Sequence, residues 1–161
     1  MIRLRKIFLV LAFFSVFTFT ACIGEKAPDF TLLSIKGNAV SLSDLKGKVV
    51  FLDFWASWCP PCRDSIPAIK EMYREYLGNT DVVILGINSG EDVQTVKVFM
   101  ADMRMPYTVL YGTPDINKNY KVKGIPAFFV IDKNGKIAKK FIGYGQGMER
   151  QWKQTIDDLL K

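Results

Sequence analysis

Asp53-Phe54-Trp55-Ala56-Ser57-Trp58-Cys59-Pro60-Pro61-Cys62 is the stretch on which the fold turns. An apolar run from Val49 to Phe54 leads into it, and a helical pattern follows, with Ile66, Ile69, Met72, Tyr73, Tyr76 and Leu77 recurring three and four apart. The reading is strand, tight turn, helix, with both cysteines on the first helical turn. Three residues of helix separate Cα atoms by roughly 4.5–5.5 Å, within the span of a disulfide. Cys59 and Cys62 can therefore open and close a bond with little backbone movement.

Position also separates the two sulfurs. The thiolate is the attacking species, and a free thiol ionises near pH ~8.5. A helix N-terminus, with unpaired N–H groups and the positive end of the macrodipole, favours an anion. Cys59 is expected at that end, with its ionisation lowered, and Cys62 one turn deeper and covered. Pro60 and Pro61 suit the first helical positions, where a missing N–H costs little. The pair is thus asymmetric: Cys59 attacks and Cys62 resolves.

Composition narrows the chemistry. The chain has 161 residues, 49% hydrophobic and 24% charged, enough for one domain with a full core. Its net +6 includes Arg3, Arg5 and Lys6; beyond residue 21, 19 basic residues face 16 acidic ones. No basic cluster interleaved with aromatics points to nucleic acid. Histidine is absent, which excludes His-dependent triads, haem ligands and His-containing metal sites. With three cysteines in all, Cys-x-x-Cys lacks the second pair a structural zinc needs. Arg63 stands where c-type haem attachment requires His. Redox chemistry remains.

Residues 1–21 read as a signal segment: a basic start followed by an uncharged apolar run from Ile7 to Thr20, short for a membrane span. Phe19-Thr20-Ala21-Cys22 resembles the lipobox of bacterial lipoproteins, which implies lipidation at Cys22, although Phe19 replaces the usual Leu. An ordinary signal peptide or an uncleaved anchor are the alternatives. Each places the globular part outside the cytoplasmic membrane. Residues 22–28 read as a tether and 29–161 as the domain. Within it, Phe30–Ser34 and Asn38–Leu42 form a hairpin, and Lys48–Phe54 is the central strand. The first long helix runs from Pro61 to about Leu77, kinked at Pro67. Val82–Asn88 is a parallel strand, followed by a helix through Val96 and Phe99, a strand at Thr108–Tyr111 and a helical turn at Asp115–Tyr120. Ala127–Asp132 and Lys136–Ile142 make a second hairpin before a closing helix containing Trp152.

That order describes an α/β sandwich. With Tyr120-x-Val122-x-Gly124-Ile125-Pro126 and Asp132-x-x-Gly135 in place, the chain resembles the thioredoxin superfamily. Ala27-Pro28-Asp29-Phe30 and Leu45-Lys46-Gly47-Lys48 are similar to its extracytoplasmic TlpA and ResA branch. The resemblance implies a three-layer thioredoxin-like sandwich with a mixed central sheet and an added N-terminal β-hairpin. It implies a cis Ile125–Pro126 bond, packed on the disulfide and pairing with substrate backbone; Ala127 departs from a frequent Thr. Trp58 corresponds to the tryptophan that shields the reactive sulfur and, with Pro60 and Pro61, faces the substrate. Asp53, an acid inside an apolar strand, is expected to have a raised pKa. Its thioredoxin counterpart assists proton transfer at the resolving cysteine. Glu91 matches an acid that ResA-like proteins place near the site; a helix N-terminal acid is the alternative role. Should both acids share a cavity, they would titrate as a pair. Arg63 and Lys70 are expected in solvent beside the site.

The implied activity is thiol–disulfide exchange on protein disulfides, frequently apocytochrome c cysteines, with a membrane thiol donor re-reducing the pair. No metal, flavin or nucleotide cofactor is implied, and a monomer is expected. Two rivals share the fold. A peroxiredoxin-like peroxidase would carry Pro and Thr seven and three residues before its cysteine, where Leu52 and Ala56 stand here. An SCO-like copper chaperone would carry Cys-x-x-x-Cys and a distant His.

Overall fold

The computed structural model describes residues 24–161. The expected signal segment 1–21 and Cys22 lie outside the described residues.

Strand β3 (Val49–Trp55) is buried along all seven residues, as a parallel strand covered on both faces requires. Its alternation divides the core. Val49, Phe51, Asp53 and Trp55 face one side, and Val50, Leu52 and Phe54 the other. Strands β4 (Val82–Asn88) and β5 (Thr108–Tyr111) extend the sheet in parallel on one side. Strands β6 (Ala127–Ile131) and β7 (Ile137–Ile142) extend it antiparallel on the other, giving the order β5-β4-β3-β6-β7. Helices α1 (Pro60–Glu75) and α2 (Val93–Asp102) are crossovers between successive parallel strands, so right-handed connection puts both on one face. Helix α4 (Met148–Leu160) joins them there through Trp152 and Ile156. On the opposite face lie α3 (Pro114–Asn119), a short 3₁₀ turn (Leu42–Leu45) and the hairpin β1 (Thr31–Leu33) with β2 (Ala39–Ser41). This is the thioredoxin-like sandwich with an N-terminal hairpin that the motif order implied.

Aromatic rings fill both layers. Trp152 packs on Phe128 and Phe51 with centroids 4.4 and 5.3 Å away, and Tyr120 meets Phe129 and Phe54 at 5.1 and 5.4 Å. Both open sheet edges are partly covered. Ile35 N–H donates to the Val109 carbonyl on β5 (2.9 Å). Beside β7, Gly24 N–H donates to the Ile137 carbonyl (2.7 Å) and Ile137 N–H to the Glu25 carbonyl (2.9 Å). Residues 24–28, read from sequence as tether, are therefore docked, with Ala27 buried. An extended segment passing an open strand edge pairs with its unmet backbone groups. Helix α1 ends at Glu75, short of Leu77, and runs through Pro67 as one helix.

Candidate active site

The turn after β3 delivers Cys59 as the N-cap of α1, in extended conformation (φ −93°, ψ 106°). Cys59 and Cys62 are joined as a disulfide, with Cα atoms 5.3 Å apart. A helix ordinarily presents several unpaired N–H groups at its start. Here Pro60 and Pro61 have none, so the first available donor is Cys62 N–H, which points at Cys59 Sγ from 3.3 Å. Arg63 N–H is already committed to the Cys59 carbonyl (3.2 Å). Cys59 is 3% and Cys62 1% exposed in the closed disulfide.

Around the pair the surface is apolar. Trp58 is 68% exposed, and Pro60 and Pro61 are exposed beside it, whereas Trp55 is buried and stacked on Phe99 at 5.2 Å. The Ile125–Pro126 bond is cis. Because Phe54 pairs with Ala127 across β3 and β6, Pro126 lies at the same sheet end as the disulfide. Half-buried Ile125 packs against the core cluster that contains both cysteines.

The two acids are in different environments. Asp53 is 0% exposed, between Gly86 on β4 and Phe128 on β6, and neither carboxyl oxygen has a hydrogen-bond partner. Burial alone pushes its pKa up to about 8. Glu91 is fully engaged: it accepts from Ser57 N–H (2.8 Å), Ser57 O–H and Asn88 Nδ2 (2.7 Å), while Glu91 N–H donates to Asn88 Oδ1 (2.9 Å). The carboxylate thus clamps the β3–α1 turn two residues before Cys59. Asp53 and Glu91 share no hydrogen-bond partner: the Asp53 oxygens are unpartnered inside the sheet, and those of Glu91 are taken by Ser57 and Asn88. Helix α2 is capped instead by Asp92, which accepts from Thr95 N–H (2.9 Å).

Arg63 lies over the Phe99 ring at 5.2 Å. Lys70, expected in solvent, donates to the Met103 carbonyl at the end of α2 (2.8 Å), where a cation meets unpaired carbonyls. Ser57 and Asn88 join the site without a motif that marks either as functional. Asn88 had a signal, being a polar residue closing an apolar run, and it is fully buried. Removing the clamp has a calculable effect: Glu91→Ala strands three donors, and a loss of about 2 kcal/mol is expected in urea unfolding. Glu91→Gln, which keeps acceptor capacity on one oxygen, is expected to lose less.

A family model described as AhpC/TSA family matches residues 23–140. The chain is 39% identical over 141 residues to thiol-disulfide oxidoreductase ResA of Bacillus cereus, covering 86% of this chain and 77% of that one. It is 34% identical to the thioredoxin-like protein YneN of Bacillus subtilis, covering 83% and 79%. Among solved structures, a Chlorobium tepidum chain described as a thiol:disulfide interchange protein DsbE superposes with a TM-score of 0.80 at 36% identity, covering 86% and 98%. With a Cys-x-x-Cys disulfide opening α1 of a thioredoxin-like sandwich, the chain belongs to the AhpC/TSA family as a ResA-like thiol-disulfide oxidoreductase.

Proposed function

We propose that the protein reduces disulfides of protein substrates outside the cytoplasmic membrane, with Cys59 as nucleophile and Cys62 as resolving thiol. The observation that carries this reading is the placement of Cys59 as N-cap, its sulfur facing the Cys62 N–H, beneath an exposed Trp58-Pro60-Pro61 surface. In the reduced protein, Cys59 thiolate attacks one sulfur of the substrate disulfide, and the other sulfur leaves as thiolate and takes a proton. Cys62 then passes its proton to ionised Asp53 and attacks Cys59 Sγ. The bond from Cys59 Sγ to the substrate breaks, the second substrate sulfur leaves as thiolate and takes a proton from solvent, and the Cys59–Cys62 disulfide forms as the dithiol substrate departs. Ile125 and Pro126 offer backbone and apolar contact to the substrate chain, and Glu91 holds the turn that carries Cys59.

The number of donors at the sulfur supports the reducing direction. A dithiol becomes a strong oxidant when its reduced form is stabilised. With Pro60 and Pro61 contributing no N–H, one backbone donor supports the Cys59 thiolate, which favours a reductant. Equilibration against glutathione buffers tests this. A potential at or below about −240 mV is expected, and one near about −120 mV overturns the direction.

The basic start, apolar run and Cys22 of the N-terminal segment support a lipid tether or membrane anchor, and the ResA-like relationship supports disulfide-bonded apocytochrome c cysteines as substrate, with a membrane thiol donor re-reducing the pair. No helix among the described residues is long and apolar enough to cross a membrane. If the tether is the lipid on Cys22, Cys22→Ala protein leaves the membrane fraction; full retention points to an uncleaved anchor.

A further inference from the structure

Asp53 is not the lone unpartnered polar group at its depth in the core. Trp55 Nε1 and the Tyr107 hydroxyl are likewise buried without a hydrogen-bond partner. Gly86 links them: it pairs with Asp53 in register, and the Trp55 indole N–H and the Tyr107 ring border it. Asp53 is paired with Gly86 across β3 and β4, with its side chain on the α1 side of the sheet. A methyl group added at Gly86 would come within 2.9 Å of Trp55 Nε1 and 3.2 Å of the Tyr107 ring. The missing side chain is what lets both rings settle on the β4 backbone beside the acid. Gly86 has no positive φ to explain it, so close approach is its use.

We propose that Tyr107 is a positioning residue for Asp53, its hydroxyl, with the Trp55 indole N–H, donating through an internal water to the carboxylate that forms when Asp53 gives up its proton. Two donors and one acceptor, all buried and without protein partners, are what an internal water bridges in folded proteins. Most other polar groups on that face are already engaged. The Ser65 hydroxyl is spent on the Cys62 carbonyl (2.8 Å), Lys70 on Met103 and Glu91 on Ser57 and Asn88. Arg63 lies over Phe99, and Tyr73 is tilted against Tyr107 with centroids 6.3 Å apart. Trp152 Nε1, on the Phe128 side, is a further N–H without a partner. Among charged groups, Asp53 alone acts on Tyr107, raising its pKa together with burial, the larger cause. The cysteines complete the titratable set. Tyr107 thereby governs the pH at which Asp53 can take the Cys62 proton, which rests on Asp53 being the acceptor proposed above.

The test reads Asp53 directly, through its carboxyl ¹³C shift against pH in the oxidised full-length protein, where neither active-site sulfur titrates. Asp53→Asn assigns the signal. Tyr107→Phe removes one oxygen and keeps the ring. Losing a donor to the ionised form is expected to raise the Asp53 midpoint by about one pH unit. Gly86→Ala, which pushes both rings off β4, is expected to raise it too. An unchanged or lowered midpoint in Tyr107→Phe overturns the assignment. Should the midpoint rise while Asp53→Asn exchanges disulfides like wild type at every pH, Tyr107 keeps its place and the proton role of Asp53 fails instead.

Discussion

Reductase activity in Cys59→Ser is expected to fall to the uncatalysed background, while Cys62→Ser is expected to stop halfway as a covalent complex. The difference comes from where the two sulfurs sit. Cys59 caps α1 with the Cys62 N–H aimed at its sulfur, and that donor belongs to the backbone, so it survives in Cys62→Ser. Cys62 is held within the first turn and is buried, while Pro60 and Pro61 before it are exposed. The variant with serine at 62 can therefore attack a substrate but has no second sulfur to displace it. Incubation with a disulfide-bearing protein and intact-mass analysis checks this. A one-to-one adduct on Cys59 is expected, released by added thiol. The Cys59→Ser protein is expected to form none. Adduct on Cys62 in Cys59→Ser at a comparable rate would falsify the assignment of attacker and resolver. Alkylation of the reduced protein gives the same information without a substrate, and Cys59 is expected to react first.

The parts of the molecule that could be read from sequence are those whose physics is local. Val49 to Trp55 is apolar enough for a doubly covered strand, the three-and-four spacing after Cys62 defines one helix face, and the Cys-x-x-Cys fits one helical turn. What stayed hidden depends on distant partners. Glu91 in sequence is an acid at a helix start, and either of two roles suited it. Only the meeting with Ser57, thirty-four residues earlier in the chain, makes it a clamp on the catalytic turn. Lys70 looks like a surface lysine until α2 ends beneath it. Residues 24–28 have the composition of a linker, and pairing with β7 is a property of the assembled sheet. Tyr107 precedes a short strand without any motif of its own. Its proximity to Asp53 arises because β5 lies next to β4 and because Gly86 has no side chain.

The second large effect concerns Asp53, and its sign is the reverse of the usual one for an acid. Most folded carboxylates have lowered pKa values and support stability above pH 4. Burial holds Asp53 near 8 against an ordinary value of 3.8. Below about pH 4 the folded and unfolded forms are both protonated, and the group has no effect. As pH rises from there, the unfolded chain gives up its proton while the folded one keeps it, so stability declines until about pH 8 and then levels off. At 1.36 kcal/mol per unit, roughly 4 kcal/mol is lost between pH 5 and pH 8. Two features of the chain isolate this term in the oxidised protein. There is no histidine to titrate in that window, and the active-site cysteines are tied up as a disulfide. Asp92 and Asp158, with lowered values, finish titrating below it. Urea unfolding at pH 5 and pH 8 is therefore expected to show a steep decline in wild type and a nearly flat response in Asp53→Asn. The same substitution is expected to slow release of the mixed disulfide by ~100-fold, as loss of a positioned proton acceptor does. In wild type that step is expected to quicken with pH up to about 8, because only ionised Asp53 accepts the Cys62 proton. A flat stability profile in wild type would show that the acid is not held neutral. A steep decline with unaltered release in Asp53→Asn would leave Asp53 a destabilising acid with no part in proton transfer.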